Sequence, residues 1–401
     1  MEVRAITQEE YLAYRLLCTV CFLGASEENY LDWHKDLEKH SEGYEKVLGC
    51  FDRQNNLVAG LGIAPYRMYF DGQVVDMGGI QGVVTAPEAR GTGAAGKVLA
   101  ESLRTMKENG QIFSVLYPFS YAYYRKFGYE VAHQLRKAEI PIEVFCRYPF
   151  PKDSIRFLKK GDDLADIKMV YDIFKKSRNY TTDRTDSCWL AFMETDPYTT
   201  KHYTYIHYNG QGIADSYLKY HTGDRVPGRG YDLYIDELAW TTEDGLLSMF
   251  GFIGGLRPQF DKVFWDVPMG VDLFSLFPEA YDISINTCPS AMTRIVDLPK
   301  VLETIRPSSF TTGKVVINIV DKSLPCNTGK YALSWENGVV HVKKSDQSPD
   351  MSTTIEAMTQ IVIGYLTPAE AAYRQDTTIY NQQEALMALF PKKDLCLWEV
   401  F

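Results

Sequence analysis

Stretches of hydrophobic residues along the chain follow two kinds of pattern, and these patterns predict its strands and helices. Apolar and β-branched runs bounded by turn residues predict strands over 57–70, 73–84, 202–208 and 231–240. Apolar positions spaced by three and four residues over 94–109 and 166–179 predict amphipathic helices. Strands and helices that alternate along a chain are typical of an α/β fold.

Local turn and cap signals place the ends of several elements. Thr7-x-x-Glu10 is a capping box that predicts the start of the first helix, and a second helix is predicted over about 26–40. Asp71-Gly72 and Asn337-Gly338 are typical of two-residue β-hairpin turns. The last seven residues, 395–401, are mostly apolar, and we expect them to form a docked terminal strand.

A strand, a glycine loop and a helix follow one another around VVTAPEARGTGAAG, residues 83–96. The first-turn N–H groups of a helix have no intrahelical acceptor, and glycines let a phosphate approach the backbone. The order strand, glycine loop, helix therefore predicts an anion site, and the question is which phosphate ligand it binds.

Two familiar phosphate motifs fit this loop only in part. Gly91-x-Gly93-x-x-Gly96 matches a dinucleotide fingerprint, but 111–117 lacks the acidic residue that should hold a ribose about twenty positions on. Gly91-x-x-x-x-Gly96-Lys97 matches a Walker A loop, but Val98 replaces the hydroxyl residue that should bind magnesium. Both interpretations are rejected.

A third motif agrees with the surrounding sequence as well. Arg90-x-x-Gly93-x-Ala95 resembles the pyrophosphate loop of the GNAT superfamily of N-acetyltransferases. After the helix and a further strand, Tyr124-Arg-Lys-Phe-Gly128-Tyr129 resembles that superfamily's tyrosine and glycine–aromatic signature. The resemblance implies acetyl-CoA as the bound phosphate ligand.

The 401 residues predict more than one domain. We expect a catalytic GNAT domain over 1–147, a second GNAT-like domain over 148–288 and a third domain over 289–401. In the second domain, Thr241-Thr-Glu-Asp244 stands where the glycine loop would be, and its carboxylates would repel pyrophosphate. That domain is therefore expected to have no coenzyme site.

The composition of the chain indicates which classes of binding partner to expect. With 42 basic and 52 acidic residues the net charge is −10, which argues against nucleic acid and anionic membrane partners and suits a cationic substrate. The polar N-terminal stretch and the absence of a membrane-length apolar run predict a cytoplasmic location. The eight cysteines are scattered, and His202 and His207 lie on opposite faces of a strand, so no metal site is expected.

Five segments spread along the whole chain agree with one family: VVTAPEARGTGAAG, YYRKFGY, DELAWTTEDGLL, TRIVDLPKVLETI and VDKSLPCNTGKYAL. Through them the chain resembles, along its whole length, the Eis (enhanced intracellular survival) family of bacterial acetyltransferases. The resemblance implies tandem GNAT domains, a sterol-carrier-protein-like α+β domain and a homohexamer.

The resemblance also implies the site. Tyr124 is expected to be the general acid and the α-carboxylate of Phe401 the general base, and Trp33 and Glu399 are candidates for substrate binding. The residues expected to bind acetyl-CoA are Val83, Val84, Thr85, Arg90, Gly91, Thr92, Gly93, Ala94, Ala95, Gly96, Phe119 and Ser120.

The implied reaction moves an acetyl group to a primary amine of an aminoglycoside, a polyamine or a lysine. Two other functions stay open at this point. One is a protein-lysine acetyltransferase, and the other is a non-catalytic protein that binds acyl-CoA or lipid through its third domain. Arg90, Gly93 and Tyr124 argue against the non-catalytic protein, since a protein that only binds its ligand has no need of a general acid.

Overall fold

The computed structural model describes residues 1–22, 47–225, 228, 230–277 and 279–399. In these residues nineteen strands form three mixed sheets. The first sheet, in spatial order, contains β1 (Glu2–Ala5), β2 (Val47–Phe51), β3 (Leu57–Phe70), β4 (Gln73–Thr85), β5 (Phe113–Leu116), β14 (Met292–Ile295) and β6 (Glu130–Val131). The second contains β13 (Ser284–Pro289), β7 (Gln134–Pro141), β12 (Phe260–Asp266), β11 (Tyr231–Trp240), β10 (Ala214–Arg225), β9 (His202–Tyr208) and β8 (Ile155–Phe157). The third contains β17 (Val339–Lys344), β16 (Gly329–Glu336), β15 (Gly313–Val320), β18 (Met351–Thr354) and β19 (Thr378–Ile379).

Helices of the described residues cover these sheets. They are α1 (Gln8–Cys21), α2 (Ala94–Glu108), α3 (Tyr121–Arg125), α4 (Ala165–Lys176), α5 (Asp186–Glu194), α6 (Pro197–Thr200), α7 (Glu243–Gly255), α8 (Leu273–Leu276), α9 (Leu298–Thr304), α10 (Ile355–Ile363), α11 (Pro368–Ala371) and α12 (Gln383–Leu389). Short 3-10 turns cover Pro87–Ala89, Ile142–Arg147 and Pro325–Asn327. No helix in the described part of the chain is long and apolar enough to cross a membrane. The predicted helix over 26–40 lies outside the described residues.

The predicted cap and turn signals act as expected. The Thr7 and Glu10 capping box begins α1, and the Glu10 carboxylate accepts a hydrogen bond from the Thr7 backbone N–H at 2.9 Å. Asp71 and Gly72 both have positive φ, at 49° and 72°, as a tight hairpin between β3 and β4 requires.

The first two sheets follow one plan, and each takes one strand from outside its own stretch of the chain, which is 2–131 for the first sheet and 155–289 for the second. In each sheet, five described strands that are consecutive in sequence lie side by side. The strand from outside that stretch pairs with the fifth of them, and one more strand of the same stretch forms the edge of the sheet. β7 lies between β12 and β13, and β14 lies between β5 and β6. Each sheet is therefore completed by a strand from outside its own stretch of the chain. The predicted domain boundaries after residues 147 and 288 stay predictions, and the sheets exchange strands across both.

The third domain packs onto the exchanged strand β14. One hydrophobic cluster contains Phe113 of β5, Ile295 of β14, Ile317 of β15 and Met358 of α10, all fully or almost fully buried. The first sheet and the third domain therefore share a continuous core, which holds β14 from both sides.

A buried charge sits at this junction. Arg294 of β14 is fully buried, and its guanidinium donates to both oxygens of Asp321 in the third domain, at 2.9 and 2.8 Å. It also donates to the Phe127 carbonyl, just after α3. Gly128 has a φ of 81°, and a Cβ at this position would overlap the Arg294 guanidinium. The glycine of the predicted signature is thus required by both backbone angle and space.

The prediction of a terminal strand is wrong for the described residues 395–399. Leu395 makes one isolated parallel bridge with Asn179, and no ladder follows it in these residues. The segment lies between two hydrophobic clusters instead of along a sheet edge. Leu395 and Leu397 pack into one cluster, and Cys396 and Trp398 pack against the other. The segment is docked, as expected, but by side chains rather than by strand pairing.

Replacing Arg294 by methionine should destabilise the protein by about 3–5 kcal/mol, because it leaves the Asp321 carboxylate buried without its counter-charge. Urea unfolding of the two proteins measures the difference. Arg257→Met, which removes an exposed arginine paired with Glu143, is the control and should stay within about 0.5 kcal/mol of the parent. Equal stability of Arg294→Met and Arg257→Met would contradict the role given to the buried pair.

Candidate active site

The parallel strands β4 and β5 separate at one end and open a cleft. They pair from Met77 with Phe113 to Ile80 with Leu116, and β4 then continues to Thr85 alone on that side. A bulge in the β3–β4 pairing, at the Gly60/Gly62 step, and the positive φ of Gly82 accompany this divergence. The backbone of β4 beyond Ile80 therefore has polar groups on its β5 side that can bind a ligand.

Helix α1 covers one side of the cleft and fixes the end of β4. The Tyr14 hydroxyl donates to the Gly82 carbonyl at 2.8 Å, and the Cys21 thiol donates to the Thr85 carbonyl at 3.4 Å. Val84 is buried in a cluster with Tyr14 and other residues of α1. Since side chains alternate along a strand, Val83 and Thr85 face the cleft.

The glycine loop leads from a short turn into α2. Gly91 and Gly93 have φ values of 81° and 82°, and a Cβ at either position would meet no neighbouring atom. Because glycine has no side chain, it adopts these positive φ angles without strain and leaves open space in front of the loop. Gly93 is the N-cap of α2 and supplies no side-chain cap, and the described first turn contains no acidic residue. The free N–H groups of this turn are therefore available to an anion.

A cavity of about 770 Å³ lies between these elements, which is within the usual size range of small-molecule sites. Nine of the predicted coenzyme residues line it, namely Val83, Thr85, Arg90, Gly91, Gly93, Ala94, Ala95, Gly96 and Phe119. The other lining residues, which the sequence did not single out, are Cys21, Phe22, Ala89 and Tyr123. The helical spacing of Tyr14, Cys18 and Cys21 on one face of α1 was the available signal for Cys21.

Three predicted coenzyme residues do not line the cavity. Val84 faces α1, as described above. The Thr92 hydroxyl donates back to the Ala89 carbonyl at 2.6 Å, which holds the loop rather than the ligand. Ser120 is the N-cap of α3, and its hydroxyl accepts from the Tyr123 backbone N–H at 3.4 Å. These three residues therefore stabilise the strand, loop and helix around the cavity.

Aromatic side chains form the far wall of the cleft. Phe119 is 73% exposed and its ring lies 5.4 Å from that of Tyr123 and 5.3 Å from that of Tyr124. An exposed aromatic ring at the mouth of a cavity is typical of a ligand contact surface. Tyr123 lines the cavity, whereas Tyr124 is 2% exposed and packs edge-on against Tyr129.

Burial raises the pKa of the Tyr124 hydroxyl. Desolvation raises the pKa of the Tyr124 hydroxyl well above its usual value, with smaller contributions from Tyr129 and Tyr123 in the same direction. A tyrosine hydroxyl is protonated at neutral pH even at its usual pKa, and burial shifts the pKa further in that direction, so the phenol can donate a hydrogen bond or a proton. Its assignment as general acid stays a prediction.

The described end of the chain is held near the point where β5 leaves β4. The Tyr117 hydroxyl, one residue past β5, donates to the Glu399 carbonyl at 2.7 Å. The Glu399 carboxylate accepts from Arg184 Nε at 2.8 Å. Phe401 and Trp33, the other two residues predicted from the sequence, lie outside the described residues.

Arg184 belongs to a buried network that compensates the charge of Glu399. It donates to both oxygens of Glu237, at 3.1 and 2.6 Å, and Tyr217 donates to Glu237 at 2.7 Å. Burial alone would raise the pKa of the Glu237 carboxyl, but Arg184 holds it below its usual range. Glu399 thus acts mainly as an anchor, and its candidacy for binding a cationic substrate stays a prediction that this pairing weakens.

The corresponding junction of the second sheet differs. β11 leads into α7, but the Thr242 hydroxyl accepts from the Gly245 backbone N–H at 3.0 Å and donates to Asp215 at 3.1 Å. Glu243 and Asp244 occupy the first turn. The helix N-terminus is therefore capped by the protein itself and surrounded by carboxylates, which disfavours an anionic ligand.

Known protein families match three parts of the chain. Residues 2–132 and residues 181–295 each match an acetyltransferase (GNAT) domain, and residues 298–397 match a sterol carrier protein domain. The predicted fold class, tandem GNAT-like domains followed by a sterol-carrier-protein-like α+β domain, is confirmed. No curated protein matches the chain.

Solved structures share the whole architecture at low identity. A GCN5-related N-acetyltransferase from Anabaena variabilis is 23% identical, with full coverage of both chains and a TM-score of 0.85. A probable N-acyltransferase from Enterococcus faecalis is 23% identical, covered over 100% of this chain and 99% of its own, with a TM-score of 0.86. Eis1 from Mycobacterium abscessus is 16% identical, with full coverage of both chains and a TM-score of 0.82. At these identities the likeness shows a common fold.

Gly93→Asp should abolish binding of acetyl-CoA, because it places a negative side chain in front of the first-turn N–H groups of α2. Gly72→Asp is a matched control, since Gly72 has a similar φ of 72° and equally open surroundings but lies in a hairpin turn. Isothermal titration calorimetry should show one site per chain in the parent and in Gly72→Asp. Two sites per chain, or normal binding to Gly93→Asp, would exclude the assignment.

Proposed function

We propose that this acyltransferase, whose two GNAT domains are matched by family models, transfers an acetyl group from acetyl-CoA to a primary amine of a small cationic substrate. The observation that carries the proposal is the open anion loop over 90–96 beside the separated strands β4 and β5. GNAT domains use acetyl-CoA as co-substrate. Of the two GNAT helix starts compared above in the described residues, that of α2 is unobstructed and can accept the pyrophosphate, whereas that of α7 is capped.

In the proposed complex the pyrophosphate lies on the backbone N–H groups from Gly91 to Gly96, near the positive charge of Arg90. The pantetheine arm follows the unpaired side of β4 along Val83–Thr85, where strand-like hydrogen bonds can hold its amides. Phe119 packs against the apolar part of the arm, and Ser120 shapes the turn beside it.

The chemistry requires a deprotonated amine, a stabilised oxyanion and a proton for the leaving thiolate. The free amine attacks the thioester carbonyl, the tetrahedral intermediate collapses, and the carbon–sulfur bond breaks. Backbone N–H groups of β4 past the point of separation support the oxyanion in this proposal. Tyr124, whose hydroxyl is protonated at neutral pH, supplies the proton to the coenzyme sulfur.

Phe401 is proposed as the base, with its α-carboxylate accepting the amine proton directly or through a water. The support comes from Glu399, two residues earlier. Its carbonyl accepts a hydrogen bond from the hydroxyl of Tyr117, which lies just past the end of β5. The proposal requires the two residues after Glu399, which span about 7 Å when extended, to carry the α-carboxylate to the cleft.

The proposed substrate is a multiply charged amine, such as an aminoglycoside, a polyamine or a lysine side chain. The net charge of −10 favours the approach of a cation. We also propose that the chain belongs to the Eis family, which the shared fold with Eis1 of Mycobacterium abscessus supports. A homohexamer is proposed as well, because the sequence resemblance to that family implies it.

The test of the proposed function is release of free thiol from acetyl-CoA in the presence of a panel of amines. The panel should include an aminoglycoside, a polyamine, a lysine-containing peptide and a neutral primary amine. Polycations should be preferred, and raising the ionic strength should raise their KM more than that of the neutral amine, since salt screens charge beyond about 8 Å. Absence of turnover with every amine, while acetyl-CoA still binds, would refute the proposal.

Tyr124→Phe should lower kcat by about 10²–10⁴ because it removes the proton donor, while acetyl-CoA affinity and Tm barely change. Tyr123→Phe is the matched control, one residue away and lining the cavity. Steady-state kinetics with the best amine of the panel measures both. A loss in Tyr123→Phe with normal turnover in Tyr124→Phe would transfer the role to Tyr123.

Adding one glycine after Phe401 should lower kcat by about 10²–10⁴ if the α-carboxylate is the base, because it moves that group away from the amine. Amidating the terminus without lengthening it should have a similar effect. Normal turnover of both forms would leave the terminus a purely structural role.

A further inference from the structure

Two histidines and one carboxylate converge on the second sheet, away from the anion loop. His202 of β9 and His221 of β10 are direct cross-strand partners, and their ring centroids are 4.9 Å apart. Asp236 of β11, the next strand, lies beside them: one carboxylate oxygen is 2.8 Å from His202 Nδ1 and the other is 2.7 Å from His221 Nδ1.

Strand register produces this arrangement. β9, β10 and β11 are neighbours in the sheet, and a bulge at Lys219/Tyr220 shifts the pairing of β10 with β11 at this level. His221 then pairs with Tyr234, so Asp236 is two residues further along and on the same face. Three side chains on paired strands have little freedom, which favours a preorganised site.

We propose that His202, His221 and Asp236 bind one zinc-like divalent transition-metal ion. One ligand atom from each residue lies within 4.8 Å of the others. Two imidazole nitrogens and one carboxylate oxygen are a usual ligand set for Zn²⁺, with water completing the coordination. The expectation from the sequence considered His202 with His207, whereas the structure places His202 beside His221.

The surroundings leave room for an ion to enter. The side chains of His202 and His221 are 39% and 36% exposed, and that of Asp236 is 23% exposed. Lys219, the nearest cation along β10 on this face, holds its ammonium 4.4 Å from the Phe192 ring centroid. His221 stacks on Tyr234 at 5.1 Å, which fixes the plane of its ring.

Metal binding would change the role of the imidazole Nδ1 atoms. In the neutral form each Nδ1–H donates to Asp236, and binding through Nδ1 requires the proton to reside on Nε2 instead. The bound ion would join β9, β10 and β11 and stabilise this end of the second domain.

The experiment uses the full chain, stripped with a chelator and desalted, and titrates it with Zn²⁺ by calorimetry and with Co²⁺ by visible absorption. We expect one ion per chain, a Co²⁺ spectrum without thiolate charge transfer, and a higher Tm with Zn²⁺ but not with Mg²⁺. His221→Ala and Asp236→Asn should each weaken Zn²⁺ binding at least about tenfold. His341→Ala, at an exposed histidine of β17, is the matched control and should bind as the parent does.

Melting temperatures of the metal-free variants check that each is folded, and His202→Gln provides a second, more conservative ligand change. Zn²⁺ affinity that is unchanged in the His202→Gln/His221→Ala double variant would overturn the proposal. A Co²⁺ spectrum with thiolate charge transfer would also overturn it, because it would place the ion on cysteine. Neither outcome depends on acetyl transfer.

Discussion

The buried ion pair of Arg294 and Asp321 joins three parts of the molecule at one point. Arg294 is on a strand of the first sheet that arrives from the second half of the chain, Asp321 belongs to the third domain, and the same guanidinium binds the Phe127 carbonyl after α3. A buried guanidinium is costly unless its donors are used, so this position tolerates little displacement. The tyrosine-bearing helix beside the cleft is thereby held by residues that are far away in sequence.

The exchange of β7 and β14 between the first two sheets also makes the first domain depend on residues that are far away in sequence. The cleft of the first domain is bordered by β5, and β5 is paired on its other side with β14. A sheet that needs a strand from another domain couples the folding of the two domains, because neither can satisfy its backbone hydrogen bonds alone. The rigidity of the cleft between β4 and β5 therefore depends on the second and third domains as well as on the first.

The two GNAT domains show how one fold gives an open anion site in one copy and a closed helix end in the other. In the first domain glycine caps α2 and leaves the first-turn donors free. In the second, the Thr242 hydroxyl accepts a hydrogen bond from the Gly245 N–H of α7 and donates one to Asp215. Two carboxylates occupy the first turn of that helix. The difference rests on a few residues at a helix start, where the dipole and the unpaired N–H groups decide which charge is accepted.

The sequence by itself determined the elements with strong local signals: the strands over 57–70 and 73–84, the hairpin at Asp71-Gly72, the helix after Gly93, and most residues that line the cavity. These follow from side-chain spacing and from backbone angles that only glycine adopts readily. Only the tertiary structure decided the strand exchange, the extended docking of residues 395–399, the pairing of Glu399 with Arg184 and the meeting of His202 with His221 and Asp236. Each of these depends on the register and packing of segments distant in sequence, which a local pattern does not encode.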